Sequence, residues 1–512
     1  MTTTVSVTPE SDRDRPRPPG AGRPEGRPRW FGALLLRLHF YAGLLVGPFI
    51  LVAAVSGALY ALTPAIEQGV YRHELRAPVT DTQLTLAEQT EIARSHIGDA
   101  AATPSAVRPA PEPGDTTRIM FADEGLGESE SRAVFVDPGT GEVRGDLTVY
   151  GTSGALPLRA WLDQLHRNLH LGDVGRLYSE LAASWLGIVA VAGLGLWIRR
   201  IRRSGTKKDF VRPGRGRTGY RRLFTWHTSV GIWVLLGALF LSATGITWSQ
   251  HAGSNVDTLR AAFDWSTPGV DARLPGGGTE QGAADGDGDG DSGNGSGSGG
   301  EHAGHGTAEP GTAEPGAGGA ADPALLDAVL ATAEAVNINT GLVEITPPAE
   351  PGTAWVVQEI QRSYPTEVDA VAVDPGTMQV LHRVDFAEFP LAAKLARWGI
   401  DAHMGSLFGL PNQLVLFLLA GGIATMVVLG YLMWWKRRPT REPRPLAGTP
   451  PRRGVLRGAP WWGIAAVLGV AVALGWWLPL VGWTLAGFVV ADVLVGLLRR
   501  PGRGAVSPGR PG

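Results

Sequence analysis

Four stretches of the chain, residues 31–62, 181–198, 223–248 and 414–435, are almost wholly apolar. A helix needs about 20 such residues to cross a hydrocarbon core about 30 Å thick, and one chain cannot hide four of them in a water-soluble core. Lipid is therefore the expected solvent of these segments. A fifth run, 461–498, is too long for a single crossing and carries Pro479 near its centre, with Trp476, Trp477 and Trp483 around it. Such aromatic residues suit the membrane–water boundary, so this run is expected to fold as a helical hairpin, giving about six transmembrane helices. The first run is not expected to be a cleaved leader, being too long and lacking an Ala-x-Ala-like site.

Basic residues set the expected orientation. Residues 1–37 hold 7 Lys+Arg, 199–222 hold 11, 436–457 hold 8 and 499–512 hold 4, so 30 of 46 fall in four short segments. With six spans all four lie on one side, and an excess of Lys and Arg marks the cytoplasm. Both termini are then cytoplasmic and the long polar regions 63–160 and 249–396 face outward. A net charge of −2 gives no reason to expect a nucleic-acid partner.

Self-similarity orders the rest. VDPGTGEV begins at Val136 and VDPGTMQV at Val373, an offset of 237 that also places Trp161 on Trp398, His166 on His403, Gly193 on Gly430 and Arg200 on Arg437. Upstream, an offset of 188 places His39 on His227, Gly43 on Gly231, Ser56-Gly57 on Thr244-Gly245 and Tyr60 on Trp248. The chain thus reads as two copies of one unit: an outgoing span, an outer α+β domain, an outer His segment and a returning span.

In order, the expected parts are a basic disordered tail (1–30), span 1 (31–62), the first outer domain (63–160), an outer His segment with span 2 (161–201) and a basic loop (202–222). Span 3 (223–248) leads to the second outer domain (249–396), whose Gly/Ser/Asp/Pro-rich stretch 276–322 is expected to be a disordered linker. A second outer His segment with span 4 (397–438), a basic loop (439–459), the hairpin (460–498) and a tail (499–512) complete it. Each outer domain should contain a helix (84–96; 324–336), strands such as 118–122 and 354–359, and a hairpin turning at Asp-Pro-Gly-Thr.

Ionisable groups in or beside lipid are costly and are functional hypotheses by default. His39 and His227 fall near the cytoplasmic boundary at equivalent depth; His166 and His403 precede their spans on the other side. Two pairs at opposite faces suit two haems, each iron receiving imidazole nitrogen from two helices. Gly43 and Gly231, one turn beyond the inner histidines, are expected to leave room for a flat macrocycle. The chain has no Cys, which removes thiolate ligands and covalent attachment, so the haems would be b-type. His170 has Leu407 at its repeat position and is a lesser candidate; His73, His96, His251 and His382 also lack repeat partners and read as surface residues. The run from Asp285 has calcium-loop spacing, but Ser296 stands where the loop needs Glu, and it reads as linker, as do His302 and His305. Asp492 suits either proton movement or ion pairing within the bundle.

These residues resemble the PepSY-associated transmembrane family, which includes ferric-siderophore reductases and iron-regulated membrane proteins. The likeness is carried by RLHFYAGLLVG with VSGALY, WLDQLHRNLHLGDVGR, FTWHTSVGIWVLLGALFLSATGITW, and DAHMGSLFGLPNQ ending in GYLMWWKRR. It covers about 31–435, the linker excepted, and extends to the terminal hairpin. The resemblance implies haem b in the spans, PepSY-like outer domains, and electron delivery from a quinol or cytoplasmic reductase to an extracytoplasmic ferric chelate, in a bacterial-type cytoplasmic membrane. One rival is a non-enzymatic sensor whose outer domains bind peptides, proteases or envelope components; another is a metal transporter using Asp492 and the outer histidines.

Overall fold

The computed structural model describes residues 30–127, 129–204, 212–214, 216–275, 321–437, 451 and 453–498. The two tails, part of the first basic loop, most of the second and nearly all of 276–322, with His302, His305 and the run from Asp285, fall outside the described residues.

The first apolar run folds as two helices, α1 (Trp30–Leu45) and α2 (Gly47–Ala61), meeting at a bend of 61°. Pro48 breaks the helix, because its ring has no N–H for the Leu44 carbonyl four residues back and crowds that oxygen. The hydroxyl of Tyr431 donates to the Leu44 oxygen at 2.6 Å, so the freed acceptor is satisfied where water is absent. Short helices α3 (Thr63–Val70) and α4 (Arg72–Leu75) lead into the first outer unit. That unit contains α5 (Leu86–Ile97), β1 (Pro104–Arg108), β2 (Thr117–Phe121), β3 (Glu130–Val136), β4 (Val143–Tyr150) and α6 (Pro157–Asn168).

Two long helices follow, α7 (Gly172–Ser204) and α8 (Gly219–Thr247), and then α9 (His251–Ala262). The second outer unit holds α10 (Leu326–Ala335), β5 (Val343–Thr346), β6 (Trp355–Glu359), β7 (Ala370–Val373), β8 (Val380–Val384) and α11 (Leu391–Met404). Last come α12 (Gly409–Lys436) and the apolar hairpin α13 (Trp461–Trp477) and α14 (Pro479–Leu498).

Among the described residues α7, α8 and α12 are long and apolar enough to cross a membrane singly, and the bent pair α1–α2 reaches that length and hydropathy only when taken together; α13 and α14 are shorter. Trp233 and Leu236 on α8 and Leu418 on α12 are 72, 80 and 69 % exposed, a surface that suits hydrocarbon and not water. Inside the bundle, Ser242 on α8 donates to the Ala183 oxygen of α7 at 2.7 Å and accepts from Gly187 N at 3.1 Å, the close small-residue contact on which helices in lipid rely.

The two outer units were expected as separate domains; they share one antiparallel sheet of eight strands in the order β4-β3-β2-β1-β5-β6-β7-β8. The join is β1 on β5, with Val107 opposite Ile345. A four-stranded sheet would expose β1 or β5 as an unpaired edge, and pairing the two edges removes both. One core lies beneath both halves, with Val107, Ile119 and Val134 packed with Val329, Trp355 and Val371. Asp327 of α10 accepts from Leu86 N and Ala87 N at the start of α5, and Arg108 pairs with Glu344 at 2.6 Å. Both Asp-Pro-Gly-Thr segments form the turn between the third and fourth strands of their halves. Asp137 accepts from Gly139 N and Asp374 from Gly376 N, each at 2.8 Å.

Candidate functional site

His39 on α1 and His227 on α8 face each other with ring centroids 6.1 Å apart and planes at 78°. Two imidazoles that each give one nitrogen to a single metal ion about 2 Å away hold their centroids roughly 6 Å apart. The Nδ1 of His39 lies 3.0 Å from the Val189 oxygen on α7. A carbonyl only accepts, so Nδ1 carries the proton and Nε2 keeps its lone pair. Gly193, one turn along α7, makes room for this ring: a β-carbon there would stand 3.1 Å from His39 Cε1. The Nδ1 of His227 is buried and has no hydrogen-bond partner. A β-carbon on Gly43 would meet nothing within 4 Å, as expected of a residue bordering open space. Gly231 departs from its expected role, because Met426 fills the room it leaves, its Cε 2.7 Å from a β-carbon built there.

The other two histidines sit near the opposite end of the bundle, each in the last turn of a short helix that precedes a span. His166 is on α6 and His403 on α11, which ends at Gly405 with φ of 82°. Seventeen residues of α8 separate His227 from Thr244, the partner of His403. At 1.5 Å per residue that is roughly 25 Å.

The Nδ1 of His166 lies 3.0 Å from Ser56 Oγ, and the Nδ1 of His403 lies 2.6 Å from Thr244 Oγ1. Each hydroxyl already donates back along its own helix, Ser56 to Val52 O and Thr244 to Phe240 O, both at 2.8 Å. With its one proton spent, each hydroxyl accepts from Nδ1–H, and Nε2 is again left bare. Burial holds both imidazoles below their ordinary pKa, and the nearby His166 presses His403 further the same way. Both are therefore neutral, the form that binds a metal. Trp248 stands edge-on to His403 at 5.3 Å, and the Tyr178 hydroxyl donates to the His166 carbonyl at 3.1 Å.

A cavity of about 1000 Å³ opens beside the outer pair, under the second half of the sheet, with Thr244, Trp248, Ile400 and Met404 on its wall. Arg362 and Arg397 also line it. Arg362 donates to Thr152 Oγ1 at 2.9 Å, and Arg397 pairs with the buried Asp401 at 3.0 Å.

His170 is exposed and lies against Trp161 at 5.0 Å, apart from both pairs. His96 pairs with Asp146 and His251 with Glu180, both at 3.3 Å. Asp492 is ion-paired, 2.6 Å from Arg37 and 3.3 Å from Arg453, so of its two expected roles the structure shows pairing. Among the described residues no cluster of three or more His, Cys, Asp or Glu is placed to hold a bare metal ion. Ser56 and Thr244 entered the sequence reading only as markers of register; a hydroxyl recurring at the same position of both copies was the available signal.

No curated protein matches the chain. The family model described as the PepSY-associated TM region matches residues 36–437, more than three quarters of the sequence. Helices α2, α7, α8 and α12, the eight-stranded sheet and the four histidines all lie within that match, and the chain belongs to the PepSY-associated TM family.

Proposed function

We propose that this protein is a haem-b-containing electron-transfer protein of a bacterial-type cytoplasmic membrane that reduces ferric chelates on the side of the sheet. On this reading His39 and His227 hold an inner haem, and His166 and His403 an outer one. The reading takes α13 and α14 as fifth and sixth spans, both termini as cytoplasmic, and the two halves as copies of one ancestral unit. The observation that carries it is the 6.1 Å spacing of His39 and His227, joined to three histidines whose Nδ1 is engaged, which leaves the lone pair on Nε2.

A bound haem supplies one-electron exchange between ferric and ferrous iron. The chain's own part is to hold imidazole nitrogen at fixed points near both ends of the bundle, to exclude water from the apolar space between them, and to keep the rings of His39, His166 and His403 in one neutral tautomer. A quinol or a cytoplasmic reductase is the donor on this reading. One electron converts one ferric chelate, bound in the cavity beside His403, to its ferrous form, and a hard-oxygen chelator holds ferrous iron less tightly.

The test is an absorbance spectrum of detergent-purified protein from haem-replete cells, before and after dithionite. A Soret band that shifts on reduction, and that weakens in each of His39→Ala, His166→Ala, His227→Ala and His403→Ala while persisting in His170→Ala, is expected. A colourless preparation would remove the reading.

A further inference from the structure

The two ends of the bundle hold their histidines by different means. Near the inner end one Nδ1 meets a backbone carbonyl and neither meets a hydroxyl. Near the sheet both Nδ1 atoms meet hydroxyls, one from each half of the chain. A helical Ser or Thr ordinarily satisfies itself by donating to the carbonyl four residues back. Ser56 and Thr244 do so and still direct their remaining lone pairs at an imidazole more than 100 residues away in sequence. Gly57 beside Ser56 clears the space for this approach.

We propose that Ser56 and Thr244 are positioning residues that accept Nδ1–H from His166 and His403, fix the tautomer with Nε2 bare, and thereby tune the reduction potential of the outer haem. The inference rests on the haem reading above. A hydrogen-bond acceptor on the far nitrogen makes an imidazole a stronger donor to its metal, which favours ferric over ferrous iron and lowers the potential. Loss of the acceptor raises it. The inner haem, with Val189 O as the acceptor at His39 and with neither of its histidines hydrogen-bonded to Ser56 or Thr244, is untouched by changes at those two residues.

The experiment is a potentiometric titration of the full-length purified protein, followed by absorbance and by electron paramagnetic resonance. Ser56→Ala and Thr244→Val are expected to move one of two redox components to higher potential and leave the other in place. Thr244→Ser, which keeps the oxygen, should return it to the wild-type value. Thr425→Val removes a hydroxyl that donates to Gly421 O and has no ring contact in the structure; it should move neither component. If Thr244→Val releases the outer haem outright, retention in Thr244→Ser supports the assignment and loss in both overturns it. Unmoved potentials in Ser56→Ala and Thr244→Val with both haems present overturn this inference alone. A wild type with no Soret band overturns it together with the reading on which it rests.

Discussion

A β-carbon on Gly57 would stand 2.9 Å from Cε1 of His166, closer than two carbons approach, so the ring must shift to admit it. Gly57→Ala is therefore expected to lower outer-haem content about 10-fold, the usual cost of disturbing a group that orients a metal ligand. Soret absorbance per protein measures this, with Gly430→Ala as control because its β-carbon would meet nothing within 4 Å. The facing of His39 and His227 was legible because a recurring sequence pattern sets the four histidines in register. Their anchors were not: no linear string says which face of α2 a hydroxyl shares with a ring 110 residues later. Val189 acts through a carbonyl that every residue has. His170, without a repeat partner, is the one candidate that the structure leaves exposed on an aromatic neighbour.

Among elements, the apolar runs were readable from length and hydropathy, and the hairpin at 461–498 turns at Leu478 and Pro479, beside the expected proline. The bend between α1 and α2 was missed, although Pro48 stands in the sequence, because proline in a lipid-facing helix is often tolerated. What lets this one break is the donor waiting on α12, the Tyr431 hydroxyl. Tyr431→Phe leaves the Leu44 oxygen without that donor and should cost about 1 kcal/mol, the scale of interhelical hydrogen bonds in lipid, read as a lowered melting point in detergent. An unchanged melting point would mean that another donor serves Leu44. The single sheet was likewise beyond periodicity, which locates strands but not which open edges will find each other.

For the whole molecule, the joint between bundle and sheet centres on Glu67 of α3. Its Oε1 accepts from Leu156 N at 2.9 Å at the start of α6. Burial pushes this carboxyl up to about 7, against the opposing pull of Arg159. Between the ordinary carboxylate value of 4.5 and about 7, the folded protein keeps a proton that the unfolded chain has released. Stability should therefore fall as pH rises through that window, by about 3 kcal/mol at most, and level off above it. Glu67→Gln, melted at pH 5 and pH 8, should lose this slope; a slope equal to that of the wild type would assign it to other groups.

The unbroken helix α8 carries His227 near one end and Thr244 near the other. A rigid rod of this kind makes the distance between these two residues a constant of the architecture, whatever happens at the sheet. On the proposed electron-transfer reading, any control over flow must then act on occupancy or voltage at a terminus, since α8 has no break to adjust.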